Sequence, residues 1–476
     1  MQVTTIDHYL PDTGELVVWK VDAAAARQEP SPIRPSFNQA IHLAAAETSH
    51  TWLAGTFDVS GSIDREALAR AFHDLIARHG TLHSSFAQTT TGVERYCLDP
   101  AGLRVVEASV HRPATPSEMR DVLRTQLNIN CQPFGFPAYL LGAIDRADRS
   151  TVVCGFDHAH VDAYSISIVI DDLHRLYTAH RDQSEVAPDE LPMCGNFIDY
   201  CLDEQHAPSV SISDYRMRDW LRFFEASDGA LPTFPLDLGV PQGDRAPQRT
   251  TVQALLGDTS TAAFAQFCRR NGTTVFGGAL SAMADAVRRL GGGPELATIF
   301  PMHTRREDKW LNAVGWFTTN APVRLVGTGD LTTTARRTGP ALRRAIRLGE
   351  IPVPQVISSV GGFRQHRSDV FMVSYLDYRS LPGARLHETI AAHHISNVST
   401  ADDAQFWISR TDRGLALRTR YPDTDRARRV MDAFVDDVCS SLRNAATGHR
   451  VSGADRVPEI VSPPRAGADR MSRESA

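Results

Sequence analysis

The sequence predicts an α+β fold arranged as two lobes of similar size. Both halves of the 476-residue chain alternate apolar runs at helical spacing with short strand-like runs. Between them, residues 231–241 form a Pro-rich run that is typical of an extended connection. We therefore expect a first lobe over 1–180, a crossover over 181–247 and a second lobe over 248–452. The final residues, 453–476, are rich in Pro, Ser, Gly and charge, which predicts a disordered tail.

Composition and charge indicate a globular cytoplasmic protein. Lys and Arg total 50 against 56 Asp and Glu, and the arginines are scattered, so no nucleic-acid surface is expected. The N-terminus lacks the basic and apolar parts of a signal peptide, and no apolar run has the length of a membrane span. Seven cysteines without a CxxC pair predict free thiols in a reducing compartment. Association with a membrane surface stays compatible with this composition.

Local patterns in the first lobe predict an irregular start and then alternating strands and helices. Asp64 suits the N-cap of one helix, and Gly80 suits its C-terminal end. Thr115 suits the start of the next helix, because Pro116 and Glu118 complete a capping box there. The predicted segments are an irregular stretch at 1–35, strands at 52–59, 139–144 and 151–155, and helices beginning near 64, 115 and 164.

The second half repeats the mixture of strands and helices. Arginines make the predicted helix at 331–348 basic, which suits either an acidic carrier protein or plain solvation. The predicted helices cover 197–204, 215–224, 261–270, 275–290, 331–348 and 424–445, and the predicted strands cover 249–256, 296–302, 321–326, 369–376, 387–391, 405–409 and 414–421.

The strand-to-helix turn within 156–165 carries the most chemically informative residues. At such a turn side chains can point into a cleft, where His158 can accept a proton near neutral pH. Asp162 can fix the turn, orient the ring or cap the next helix. Together with His160 these residues also fit the HxHxD pattern of metallohydrolases, which could bind zinc. However, Ala163 stands where the binuclear metal motif needs another His, so we expect no metal.

The turn resembles the HHxxxDG motif of chloramphenicol-acetyltransferase-like enzymes, which include nonribosomal-peptide condensation domains and polyketide-associated acyltransferases. The catalytic His of the motif falls on His158 and its Asp on Asp162, whereas Asp157 and Ala163 replace the first His and the Gly. Stretches similar to other motifs of these families follow in the same order, at 36–39, 75–86, 133–137, 304–305, 315–318 and 351–356. Those most similar to the trehalose-acylating branch of polyketide-associated acyltransferases are 234–239, 315–318 and 371–377.

The resemblance implies two chloramphenicol-acetyltransferase-like lobes in a V-shaped pseudo-dimer with a central tunnel. His158 would be the general base for an acceptor hydroxyl that attacks an acyl thioester. Asp162 would pair with Arg305 from the other lobe and hold the turn in shape. A backbone N–H near Ala163 could donate to the oxyanion. His79 and His83 are further candidates for the tunnel wall, equally suited to ordinary structural positions. Trp316 suits the core or the tunnel wall better than a cofactor site.

The preferred hypothesis is an O-acyltransferase that moves a long acyl or polyketide chain to a small hydroxyl acceptor, such as trehalose or another glycolipid precursor. The co-substrate would be a thioester of an acyl carrier protein or CoA, a polyketide synthase would be a partner, and no cofactor would be tightly bound. A free-standing condensation domain is the alternative enzyme. An inactive relative that binds acyl chains is a third hypothesis, against which the intact set of His158, Asp162 and Arg305 argues.

Overall fold

The fold contains two seven-stranded sheets and one three-stranded sheet, seen in a computed structural model that describes residues 1–46, 51–183 and 191–448. The strands are β1 (Gln2–Thr5), β2 (Glu15–Asp22), β3 (Gln28–Ser31), β4 (Trp52–Ser60), β5 (Ser84–Thr89), β6 (Gly92–Leu98), β7 (Arg104–His111), β8 (Tyr139–Asp145), β9 (Arg149–Asp157), β10 (Ala246–Gly257), β11 (Glu295–His303), β12 (Thr318–Val326), β13 (Met372–Asp377), β14 (His393–Ser396), β15 (Thr400–Ala401), β16 (Gln405–Thr411) and β17 (Gly414–Pro422). The helices are α1 (Phe37–Ala44), α2 (Arg65–Arg78), α3 (Pro116–Asn130), α4 (Ala163–Arg181), α5 (Phe197–Gln205), α6 (Tyr215–Glu225), α7 (Asp258–Arg270), α8 (Val275–Arg289), α9 (Asp308–Leu311), α10 (Leu331–Leu348), α11 (Val353–Ser359) and α12 (Asp425–Thr447).

The first lobe is built on the sheet β1-β14-β4-β9-β8-β2-β7. Helices α2 and α4 cover one face, where Phe72 and Leu75 of α2 share an apolar core with Ile166 and Leu173 of α4. Helix α3 covers the other face. The small sheet β3-β6-β5 lies beside this lobe. The catalytic-turn candidate therefore emerges from β9, a central strand that is buried along almost its whole length.

The second lobe is built on the sheet β12-β11-β13-β16-β17-β10-β15, with α7, α8, α10 and α12 packed together over an extensive apolar core. The predicted α+β fold in two lobes is thus confirmed. No helix within the described ranges is long and apolar enough to cross a bilayer. The predicted tail, 453–476, lies outside the described residues.

Strand β14 links the lobes, because it belongs to the second half of the chain but pairs within the first sheet. It runs parallel to β1 and antiparallel to β4. Near this crossover Thr5 of β1 meets Thr250 of β10 with a hydroxyl contact of 3.2 Å. The predicted second lobe at 248–452 therefore does not coincide with one sheet, and the lobes interlock.

Most predicted helix starts are confirmed by their caps. Asp64 accepts the N–H of Ala67 at 2.9 Å at the start of α2, and Thr115 accepts the N–H of Glu118 at 3.2 Å at the start of α3. The predicted role of Gly80 as a C-cap is wrong. Helix α2 ends before it, and Gly80 instead begins a short 3₁₀ turn where a Cβ would collide with Asn196.

Two segments differ from the predicted secondary structure. Residues 1–35 contain β1, β2 and β3 and are not irregular. Residues 387–391 form turns, and the strand expected there is β14, which begins at His393. Both corrections concern strands whose partners lie far away in the sequence.

Candidate active site

His158 lies at the first position after β9, with one ring nitrogen fixed and the other free. Its backbone N–H donates to the carbonyl of Thr51 at 2.8 Å. Its Nδ1 lies 2.8 Å from the carbonyl oxygen of Val161, and because a carbonyl only accepts, Nδ1 carries the hydrogen. Nε2 makes no hydrogen bond to any described residue. The turn therefore presents an imidazole whose lone pair is available to take a proton.

The surroundings keep this imidazole neutral and hold its plane. Burial lowers the pKa of His158, and the nearby His42 lowers it further, while Asp157 and Asp162 act in the opposite direction. The ring stacks on Trp316, with centroids 3.9 Å apart and planes 25° from parallel. Trp316 is half-buried and comes from the loop before β12, so the predicted wall residue packs directly on the proposed base.

The carboxylate of Asp162 holds the turn through hydrogen bonds to both of its oxygens. Its carboxylate accepts five hydrogen bonds, namely two from Arg305 at 2.7 and 3.0 Å, two from the N–H and hydroxyl of Ser165 at 2.8 Å each, and one from the N–H of Phe317 at 3.1 Å. The bond to the Ser165 N–H makes it the N-cap of α4. Its two predicted structural roles, helix cap and ion pair with Arg305, are therefore both present.

Arg305 joins the turn to the other half of the chain from a fully buried position. Its guanidinium also donates to the carbonyl of Ala313 at 3.1 Å and lies 4.4 Å from the ring centres of Tyr164 and Phe317. Burial alone would raise the pKa of Asp162, but Arg305 and Ser165 bring it below its ordinary value. The pair is thus ionised, and it holds the turn that carries His158.

Asp157, which replaces the first His of the family motif, forms a buried pair with His42. Its two carboxylate oxygens lie 2.9 and 3.1 Å from Nε2 of His42, and one accepts the N–H of Ala159 at 2.9 Å. The His42 ring centre is 6.3 Å from that of His158 and 5.8 Å from that of Trp316. Sequence reasoning missed His42, although its position just after the motif-like stretch 36–39 was an available signal.

His160 does not join His158 in a metal site. Its Nδ1 lies 2.8 Å from the carbonyl of Thr81, its Nε2 is buried without a partner, and burial lowers its pKa to about 4. The ring packs near Phe86. Within the described ranges, no group of three or more His, Cys, Asp or Glu side chains is arranged to hold a metal. A reaction without metal stays a prediction.

The remaining candidates differ in their relation to the turn. Ala163 is the first residue of α4, and its N–H has no hydrogen-bond partner among the described residues, which suits an oxyanion donor. His79 is buried with Nε2 2.9 Å from Asp172, and His83 lies 2.9 Å from the carbonyl of Leu98. Both histidines are thus paired outside the turn, and a tunnel-lining role for them stays a prediction.

Comparison with known proteins identifies the family of the chain. The sequence profile of the Condensation domain family matches residues 39–421. Acyltransferase PapA3 of Mycobacterium tuberculosis is 25% identical over 468 residues, covering 94% of this chain and 97% of PapA3. Trehalose-2-sulfate acyltransferase PapA2 of the same species is 26% identical over 474 residues, covering 94% and 97%.

Solved structures support the fold in the same way. A structure of PapA2 acyl transferase superposes with a TM-score of 0.84 at 24% identity, covering 94% of this chain and 100% of that one. The epimerization domain from the third module of tyrocidine synthetase B gives 0.66 at 16% identity, covering 89% and 97%. The chain belongs to the condensation domain family, in the chloramphenicol-acetyltransferase-like superfamily with the Pap-type acyltransferases. Acyl transfer is the class of reaction that these relatives support.

Proposed function

We propose that this protein is an O-acyltransferase that moves a long acyl or polyketide chain from a thioester to a hydroxyl of a sugar. Trehalose or another glycolipid precursor is the favoured acceptor, since a similar protein is named for acylating trehalose-2-sulfate. The observation that carries the proposal is the geometry of His158, whose Nδ1 is held by the Val161 carbonyl while Nε2 is left free. A neutral imidazole in this state is a general base.

The proposed reaction needs only groups that the turn supplies. Nε2 of His158 takes the proton of the acceptor hydroxyl as its oxygen attacks the thioester carbonyl carbon. The N-terminus of α4, with the Ala163 N–H, would stabilise the oxyanion. When the carbon–sulfur bond breaks, the protonated His158 returns the proton to the departing thiolate. The base is regenerated, and no covalent enzyme intermediate is required.

The donor and the compartment form part of the same proposal. An acyl carrier protein or CoA would supply the thioester, and a polyketide synthase that carries such a thioester would be the natural partner. No tightly bound cofactor or metal takes part. All seven cysteines are free thiols, which supports a reducing compartment such as the cytoplasm.

A direct assay tests this proposal. Purified protein is incubated with long-chain acyl-CoA and, in separate reactions, with trehalose, trehalose 2-sulfate or an amino acid thioester analogue, and products are identified by mass spectrometry. We expect an ester with a sugar, formed by the wild type and lost in His158→Ala. Amide formation would instead support the free-standing condensation domain. Absence of both products from wild-type protein, with the thioester left intact, would contradict transferase activity on these substrates.

A further inference from the structure

Arg418 of β17 is a buried arginine without an acidic partner. The residue is 6% exposed, and its guanidinium lies 4.5 Å from the ring centre of Trp407. Nη1 donates to the carbonyl of Thr4 at 3.2 Å and to the hydroxyl of Ser396 at 2.8 Å, while Nε is buried with no partner. Within the described part of the chain, no carboxylate lies within ion-pair distance of it. A buried cation without an anion is energetically costly, which indicates that an anion is supplied from outside.

A second unused donor lies beside this guanidinium. Nδ1 of His394 lies 2.8 Å from the hydroxyl of Tyr378, and its Nε2 is buried without a partner. When the hydroxyl donates to Nδ1, Nε2 carries the ring hydrogen. His394 and Ser396 lie on the same face of β14, about 7 Å apart along the strand, so the ring is adjacent to the guanidinium. Burial, followed by the charge of Arg418, lowers the pKa of His394 to about 3, which keeps the ring neutral.

The strand register places these donors within reach of the catalytic turn. Ser396 of β14 pairs with Leu53 of β4, and Leu53 pairs with Phe156 of β9, two residues before His158. Two inter-strand spacings amount to about 10 Å. Arg418, on β17 of the second sheet, contacts the Ser396 end of this row of paired residues. The donors therefore lie where the two lobes meet, on the side of the first sheet that carries the proposed base.

We propose that Arg418 and His394 form a subsite for an anionic group on the acceptor, such as a sulfate ester, a phosphate or a carboxylate. The subsite rests on the proposed function, since it positions an acceptor whose hydroxyl lies at His158. The guanidinium has donors left over after binding Thr4 and Ser396, and its planar fork suits tetrahedral and carboxylate oxyanions. The thioester donor also carries phosphate groups, so the experiment must separate the two sources of negative charge.

Binding measurements without turnover distinguish an anion on the acceptor from the phosphates of the thioester donor. Isothermal calorimetry compares trehalose 2-sulfate, trehalose and CoA on wild-type protein, Arg418→Gln and Arg418→Lys. We expect the wild type to bind the sulfated sugar about 10- to 100-fold more tightly than the plain sugar. Arg418→Gln should lose this preference, Arg418→Lys should keep part of it, and CoA affinity should not change. Equal affinity of the wild type for both sugars, or a loss confined to CoA, would overturn the assignment to the acceptor.

Thermal unfolding distinguishes failure of the subsite from failure of the proposed function. Sodium sulfate, compared with sodium chloride at equal ionic strength, should raise the Tm of the wild type more than that of Arg418→Gln, whose response reports only the general effect of sulfate. If neither sugar binds but this difference persists, the subsite stands and the sugar acceptor is wrong. Equal responses of the two proteins would refute the subsite. A lower Tm of Arg418→Gln without any anion, combined with equal responses to sulfate, would show that Arg418 only holds the lobes together through Thr4 and Ser396.

Discussion

The Asp162–Arg305 pair gives the sharpest test of how the proposed catalytic turn is held. Asp162→Asn keeps the side-chain shape and one oxygen to cap α4, but removes the charge that neutralises Arg305. The guanidinium then stays buried among the hydroxyl of Ser165 and the carbonyls of Ala313 and Gly315. Removing one partner of a buried pair costs about 3–5 kcal/mol. We expect the upper part of that range, because an amide has one accepting oxygen for the five hydrogen bonds that now reach the carboxylate.

Urea unfolding followed by tryptophan fluorescence measures this loss. With a slope of about 2–3 kcal/mol per molar urea, a loss of about 4–5 kcal/mol should lower the midpoint by about 1.3–2.5 M. The double variant Asp162→Asn/Arg305→Met is the matched control, because it removes the stranded charge and should recover part of the stability. Acyl transfer should stay low in both variants, since the turn loses its brace. A midpoint within about 0.3 M of the wild type in Asp162→Asn, or a double variant less stable than the single one, would refute this reasoning.

Acidification should act on the same pair with a definite sign. Because the pKa of Asp162 is lower in the folded state, its contribution to the free energy of unfolding is complete above the ordinary Asp value of about 3.9 and is lost as the pH falls toward the lower folded value. His158→Ala should lower acyl transfer by about two to four orders of magnitude with an unchanged urea midpoint, and near-normal turnover would sink its assignment as the base. The acidic limb of kcat/KM should lie below pH 6.5, and His42→Gln should move it upward, because it removes a group that lowers the pKa of His158 and leaves the Asp157 carboxylate unpaired. An acidic limb at the same pH in His42→Gln would show that His42 does not influence the pKa of His158. Trp316→Ala should reduce kcat by about tenfold, more than Trp316→Phe, because only the aromatic variant keeps a ring stacked on His158; equal effects would argue against a stacking role. Prolonged chelator treatment should leave acyl transfer unchanged, whereas stoichiometric zinc with chelator-sensitive activity would favour the metallohydrolase alternative.

Elements with strong local patterns were predictable from the sequence. The strands at 52–59 and 139–144 and the helices after Asp64 and Thr115 are set by apolar periodicity and by side-chain caps, which act within a few residues. The turn around His158 belongs to the same class, because a buried strand and an Asp-capped helix define it from both sides.

Elements that depend on distant partners were not predictable in this way. Strand β1 has four residues and pairs with β14, so that Gln2 lies opposite His393. No local pattern within residues 1–35 indicates a partner at 393–396, so the segment was expected to be irregular. The same long-range pairing explains why the strand predicted at 387–391 was displaced to β14, since tertiary pairing overrides weak local preference.

The pairing of Asp162 with Arg305 was predicted from the family resemblance, because sequence spacing alone does not connect the two residues. Asp162 and Arg305 are separated by 143 positions, and no local rule connects them, yet matching each to a family motif identified the pair that the structure shows. The same procedure missed His42, because the motif-like stretch 36–39 ends three residues before it. It also gave no reason to separate Arg418 from the other arginines, whose burial and pairing depend on how the two sheets meet.

Polar contacts on two sides of the turn explain how the reduced motif can hold the proposed base in place. A sequence comparison counts Asp157 as the loss of a histidine, but the structure places His42 of α1 within 2.9 Å of its carboxylate. Helix α1 also reaches the turn through Gln39, whose amide donates to the carbonyl of Ala159 at 2.7 Å. The turn is therefore fixed on one side by α1 and on the other by Arg305, and His158 lies between the two contacts. Both contacts are made to residues beside His158 and not to its ring, which leaves Nε2 free for the proton transfer proposed for it.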